Sequence, residues 1–273
     1  MVARGAALLL VAVIAGCGGS NVKQQRARGP IIATKLTGEL ALYRINPLNS
    51  RTVRLSPGHD ARDSQPACAP DGRTVAFIRE TIRGVELRLL DLRTRRSRLL
   101  RRLDDAFVEP AWSPDGSRLA LTESVEGLRL LDVHSGAVAV LSRGYDEHAS
   151  WSPDGKHIAF AHDRTGNGDT SIWTMRADGA DRHRITHGDG DQAPVWSPDG
   201  RTIAYARGYD VWLVDPDGGN ERLAVVGAQA PTWAPDGTLL VSEYRVSGSG
   251  LFAGQPPRLV ASGTWTEACW ARS

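Results

Sequence analysis

The pentapeptide Trp-Ser-Pro-Asp-Gly stands at Trp112–Gly116, again at Trp151–Gly155 and a third time at Trp196–Gly200. A pentapeptide repeated at long intervals points to one supersecondary unit built several times over, and few folds allow that. Shorter copies at Pro70–Gly72 and Pro235–Gly237 extend the series, which places aspartates at 71, 115, 154, 199 and 236. Their spacings of 44, 39, 45 and 37 residues suit propeller blades of four strands each. Shorter solenoid periods do not fit.

Within the unit from Glu109 to Ser142, alternating segments separated by turn signals read as four short strands, A to D. Strand A ends at Trp112. Pro114 presets φ for a turn, Asp115 can accept from nearby backbone N–H groups, and Gly116 supplies a left-handed conformation before strand B begins. Strand B recurs as Thr74–Ile78, Arg118–Thr122, His157–Ala161 and Thr202–Ala206. A lone blade cannot bury both faces of its sheet, so a bulky Trp at one fixed place is expected to fill the wedge between neighbours.

Ahead of the first anchor, Ile31–Lys35, Gly38–Asn46 and Arg51–Ser56 supply strands B, C and D of a unit that lacks strand A. One further period of 37 residues from Trp233 lands on Trp270. The expectation is an all-β, six-bladed propeller over residues 31–273, closed by the C-terminal strand joining the first blade. Closure removes exposed sheet edges.

The pattern P-x-W-S-P-D-G-(K/R)-x-I-A-F, followed by Asp163–Met175 and then Ala177–Thr186, resembles the repeats of TolB-type β-propellers over residues 31–273. Cys68 in place of Trp, Ala234 in place of Ser, and the short turn Gln255–Pro257 depart from that pattern. The resemblance implies a binding propeller. The family's namesake carries a further domain ahead of its propeller; only 30 residues precede the fold here, so that domain is expected to be absent. Similar repeats also accompany prolyl-oligopeptidase-like peptidases, but no G-x-S-x-G motif occurs, and no enzyme activity is expected.

The N-terminal segment has one arginine and then the ten-residue apolar run Ala6–Ala15. Ten residues fall short of the ~20 that span a bilayer as a helix, and suit a signal peptide, here residues 1–16. Ile14–Cys17 resembles a bacterial lipobox, which implies that Cys17 becomes the lipidated first residue, anchored in the cell membrane on its extracytoplasmic side. Residues 17–30 are polar and basic and read as a flexible tether. A net charge of +2 gives no warrant for a nucleic-acid partner.

The D-to-A and B-to-C loops share one face, the channel mouth. The D-to-A loops hold Asp60, Asp63, Asp104, Asp105, Glu109, Asp146, Glu147, Asp189, Asp191 and Glu267, which predicts an acidic mouth. The residues three before each Trp position are Gln65, Glu109, His148, Ala193, Ala230 and Glu267. Gln65, Glu109, His148, Asp191 and Glu267 are the candidate partner-binding residues, for a basic peptide segment or a cation. Solvated loop side chains without a ligand are the alternative. Neither a dedicated metal site nor a cofactor is expected: the ligand spacing is missing, and Asp163–Asp169 lacks the downstream Glu of a calcium loop.

The run Arg93–Arg102 reads as a charged edge strand away from the mouth, guarding against sheet-to-sheet pairing. Cys68 and Cys269 fall on the innermost strands of blades 2 and 1, one residue out of phase, and geometry decides whether they form a disulfide. The resulting reading is a monomeric envelope lipoprotein that presents its mouth to a protein or peptide. The competing readings are a lyase or hydrolase acting on an envelope or carbohydrate substrate through His148 and flanking carboxylates, and a small-ligand sensor.

Overall fold

The computed structural model describes residues 29–271 apart from 38, 57–60, 105–107, 124–126, 244–248, 255–257 and 263, so Cys17 and the expected signal peptide lie outside the described residues. Six antiparallel sheets of four strands follow one another around a ring. Five sheets are built from consecutive strands. In the sixth, Trp265–Trp270 pairs with Ile31–Thr37, placing Ile31 opposite Trp270 and Ile32 opposite Cys269. This is the expected propeller closed by the C-terminal strand, and that shared sheet is blade 1.

The apolar runs of strand B are explained by burial on both faces. In Thr74–Thr81, Val75 and Phe77 pack with blade 1 residues Ile32 and Leu42, while Ala76 and Ile78 pack with blade 3 residues Leu119 and Leu121. Period-two alternation therefore assigns successive side chains to opposite wedges. The core is divided accordingly into clusters that each join two neighbouring blades. Removing a fully buried side chain such as Phe77 from its wedge forfeits about 1.5–3 kcal/mol of burial.

Each residue of the repeated pentapeptide has a bond or contact of its own. The indole N–H of Trp112 donates to Ala67 O (3.1 Å), that of Trp151 to Ala111 O (3.1 Å) and that of Trp233 to Val195 O (3.2 Å). These three Trp residues thus staple their blades to the innermost strand of the preceding one, whereas the buried indole N–H groups of Trp196 and Trp270 have no hydrogen-bond partner among the described residues. Ser113 Oγ donates to Asp115 Oδ1 (2.6 Å) and accepts from Arg118 N (3.0 Å), with the same pair of bonds at Ser152 and Ser197. The Ser113 hydroxyl, followed by the Ser117 N–H, holds the Asp115 carboxyl at about 2. Gly116 takes φ of +72°, and a Cβ there would lie 3.3 Å from Pro70 Cγ of the preceding blade. Gly155 and Gly200 meet Pro114 and Pro153 in the same way.

Cys68 occupies the Trp position of blade 2, and Cys269 precedes Trp270 in blade 1. They are joined as a disulfide with Cα atoms 5.6 Å apart. The position bridged is the one from which a Trp indole reaches the residue preceding the Trp of the neighbouring blade. A covalent bond therefore replaces the indole staple at the join between blades 1 and 2.

Candidate functional site

Side chains of a regular strand stand above and below its sheet, so those of an innermost strand point at the neighbouring blades while its free backbone edge faces the channel. A bulge re-aims a side chain. Pairing of strand A slips by one residue between Ser64 and Ala67, Glu147 and Ser150, Gln192 and Val195, and Gln229 and Thr232, and again opposite Ala33 and Thr34 in blade 1. At these slips Gln65, His148, Ala193, Ala230 and Glu267 adopt φ of 54°, 55°, 51°, 47° and 37°. Such left-handed residues cost roughly 1–3 kcal/mol each and persist where the surrounding structure imposes them. Pro66, Pro194 and Pro231 follow three of them and have no N–H for the bulge to orphan. Blade 3 keeps regular pairing, with Glu109 opposite Thr122.

All six of these positions line one cavity of about 360 Å³ at the mouth. Gln65, Glu109, His148 and Glu267 are among the candidates named from sequence, and the fold brings them together. His148 Nε2 lies 3.4 Å from Glu109 Oε1, and its Nδ1 lies 3.9 Å from Glu147 Oε2. That Nδ1 is buried and has no hydrogen-bond partner among the described residues. Glu267 Oε2 accepts the Gln65 backbone N–H across the join of blades 1 and 2 (3.2 Å).

The lining is polarised. Glu267, Gln65, Glu109 and His148 line it from blades 1 to 4; the lining from blades 5 and 6 is uncharged, with Gly190, Ala193, Ala206, Gly208 and Ala230 beside the polar Gln192, Gln229 and Ser242. Among the described residues no Lys or Arg lines the cavity. Around it, the B-to-C turns expose Ile82 and Tyr209, and the strand ends beside the D-to-A connections expose Tyr145 and Val226, with Tyr209 74% exposed.

Asp191 is not among the residues lining this cavity. It is fully buried and receives Arg207 in a two-point pair, Nε to Oδ1 at 2.6 Å and Nη2 to Oδ2 at 3.0 Å, while Thr186 Oγ1 donates to Oδ2. Asp63 is bound likewise by Arg79, and Asp146 by His162 and Arg182. These carboxylates were expected in solvated loops, but strand A already begins at Arg62, Tyr145 and Asp191, which sets each acid directly opposite its cation on strand B. Three of the ten acids expected at the mouth are thus drawn into ion pairs, while Asp104, Glu147 and Asp189 remain on its outer part. Acidity inside the cavity rests on Glu109 and Glu267, and the rim also carries exposed Arg83, Arg143 and Arg164. Asp60 and Asp105 lie outside the described residues.

The cations missed from sequence had a signal: each stands 16 residues after its Asp, at Arg79, His162 and Arg207. The Asp191 side chain, opposed by burial, raises the affinity of the Arg207 guanidinium for its proton; Glu221 adds to the effect (2.9 Å). Asp163, in the loop that superficially resembles a calcium site, accepts backbone N–H bonds from Thr165, Gly166 and Gly168. Its carboxylate thus closes a turn. Among the described residues no three His, Cys, Asp or Glu side chains are grouped to hold a metal ion.

Residues 63–253 match the TolB beta propeller domain family. A segment of 127 residues is 33% identical to an uncharacterized protein of Agrobacterium fabrum, covering 40% of this chain and 43% of that protein. A segment of 107 residues is 34% identical to a TolB homolog of Chlorobium luteolum, covering 37% of this chain and 24% of the homolog. The matches thus span less than half the length of these curated relatives. The crystal structure of TolB from Acinetobacter baumannii superposes with a TM-score of 0.78 at 21% identity, covering 90% of this chain and 67% of that one.

Proposed function

Since this chain belongs to the TolB β-propeller family, we propose that it is an extracytoplasmic lipoprotein whose channel mouth binds a protein or peptide partner of the cell envelope. Residues 1–16 serve as its signal peptide, Cys17 carries the lipid and residues 17–30 form the tether. The observation that carries the binding reading is the convergence of six innermost-strand positions on one cavity, five of them held in left-handed conformations. A rigid ring presents these groups already oriented, so little ordering is needed on association.

The chemistry of the mouth describes its ligand. Glu109 and Glu267 favour a lysine, an arginine or a free amino group, and Gln65 offers amide hydrogen bonds. The blade 5 and 6 lining adds Gln192, Gln229 and Ser242 as uncharged hydrogen-bonding groups, and exposed Tyr209 with Val226 supplies apolar contact at the rim. The Glu109–His148 contact favours a second reading, an enzyme moving a proton between carboxylate and imidazole.

Affinity capture from detergent-solubilised membranes tests the choice. The parent chain retains a discrete protein, and the variant Glu109→Ala, His148→Ala, Glu267→Ala, with its fold confirmed by circular dichroism, loses it by tenfold or more. Equal retention by both chains would contradict binding through the mouth.

A further inference from the structure

The face opposite the mouth bears a second cluster, in blades 1 and 2. Arg44, Arg51, Arg93, Arg95 and Arg96 are exposed there, and among the described residues none of their side chains has an acidic partner. The nearby carboxylates are already engaged: Asp91 takes Arg73 and the N–H groups of Arg93 and Thr94, and Asp71 caps the turn at Arg73 and Thr74. The chain thus holds several uncompensated guanidinium groups side by side, whose mutual repulsion an anionic surface would relieve.

Between them projects an apolar tip. Leu48 is 65% exposed at the summit of the turn Asn46–Ser50. The turn is fixed from within, because Asn46 Oδ1 accepts from Leu48 N (2.9 Å) and Asn49 Oδ1 accepts from Arg51 N (3.1 Å). Gly29 and Pro30 line the same depression as Arg44, Leu48, Arg51 and Arg95. The chain preceding strand B of blade 1 therefore arrives on this face.

We propose that the blade 1 and 2 sector of this far face, away from the exposed Asp178, Asp181 and Asp217 of blades 4 and 5, docks on an anionic bilayer surface, with the five arginines against lipid phosphates and Leu48 among the headgroups, so that the mouth points away from the membrane. Guanidinium groups match phosphate oxygens in two-point hydrogen bonds. An exposed leucine amid cations is the arrangement of an interfacial anchor. The docking does not depend on lipid at Cys17, although the tether proposed above would leave from the same side.

The full chain with Cys17→Ser, labelled with one fluorophore at Leu48→Cys or at Tyr209→Cys, is mixed with vesicles whose lipids carry a quencher. On phosphatidylglycerol vesicles the label at position 48 is quenched and the one at 209 is not; on phosphatidylcholine vesicles neither is. Arg44→Gln, Arg51→Gln, Arg95→Gln raises the lipid concentration needed for half-quenching by about a hundredfold, given roughly fivefold per arginine. The variant Arg83→Gln, Arg143→Gln, Arg164→Gln removes equal charge from the mouth face and leaves quenching unchanged. Equal effects of the two triple variants, quenching at 209, or no preference for the anionic vesicles would overturn the proposal.

Discussion

Replacing Cys68 and Cys269 together by alanine lowers the free energy of unfolding by about 3–5 kcal/mol. The bond spans a sequence separation of 201 residues, so its loss restores to the unfolded chain nearly the whole freedom of a loop as long as the propeller. The native state is affected at a critical place as well. Blade 1 is assembled from both ends of the described chain, and Cys269 sits on the strand that closes it, opposite Ile32. The other blades are each continuous in sequence and would survive a local opening; blade 1 would not. Equilibrium urea unfolding of the disulfide-bonded chain and of the double variant measures the difference, and a change below about 1 kcal/mol would contradict it.

Asp191→Ala is the second large effect, expected to cost about 3–5 kcal/mol and to lower the melting temperature by roughly 10 °C. The substitution leaves Arg207, which is mostly buried, facing only Glu221, and removes the acceptor of the Thr186 hydroxyl. Arg207 also lies over the rings of Trp212 and Tyr205, so it cannot swing out to water without abandoning them. Differential scanning calorimetry reads the outcome. A recognition residue exposed at the mouth would behave otherwise, losing partner and keeping stability, and that result would restore Asp191 to the binding site.

The fate of Asp191 marks where sequence stops being informative. Blade number, blade length and the closing strand were all legible, because each depends on turn residues and apolar alternation that recur at measurable intervals. The ring of Gln65, Glu109, His148, Ala193, Ala230 and Glu267 could be found by counting back from the Trp positions, which the fold keeps in register. What lies two residues further back was not legible. Asp63 and Asp191 look like loop acids until strand A is known to begin with or before them, and the spacing of 16 residues to each cation gains its meaning only from the pairing register.

The bulges were also hidden. No apolar period announces a residue with positive φ, and the one local clue is a proline two places before the Trp position, as at Pro66, Pro194 and Pro231. Proline inside a strand is confined to edges and bulges, and Pro110 holds the same place in the regularly paired blade 3, so the proline marks the innermost edge strand without distinguishing the bulged ones. The disulfide was left open by sequence for a different reason. Two cysteines out of phase on adjacent strands can meet only if neighbouring blades approach closely, and the Cα separation of 5.6 Å is a property of the closed ring.

Site-specific photo-cross-linking in cells that make the full chain gives the most direct view of how the molecule is used. The reactive residue is placed at Tyr209 or Ile82 on the mouth rim, and at Ala180 in the turn between strands C and D of blade 4 on the far face. Binding through the mouth yields the same discrete protein adduct from positions 209 and 82, and none from 180. An adduct from 180 alone, or none from either rim position, would contradict it.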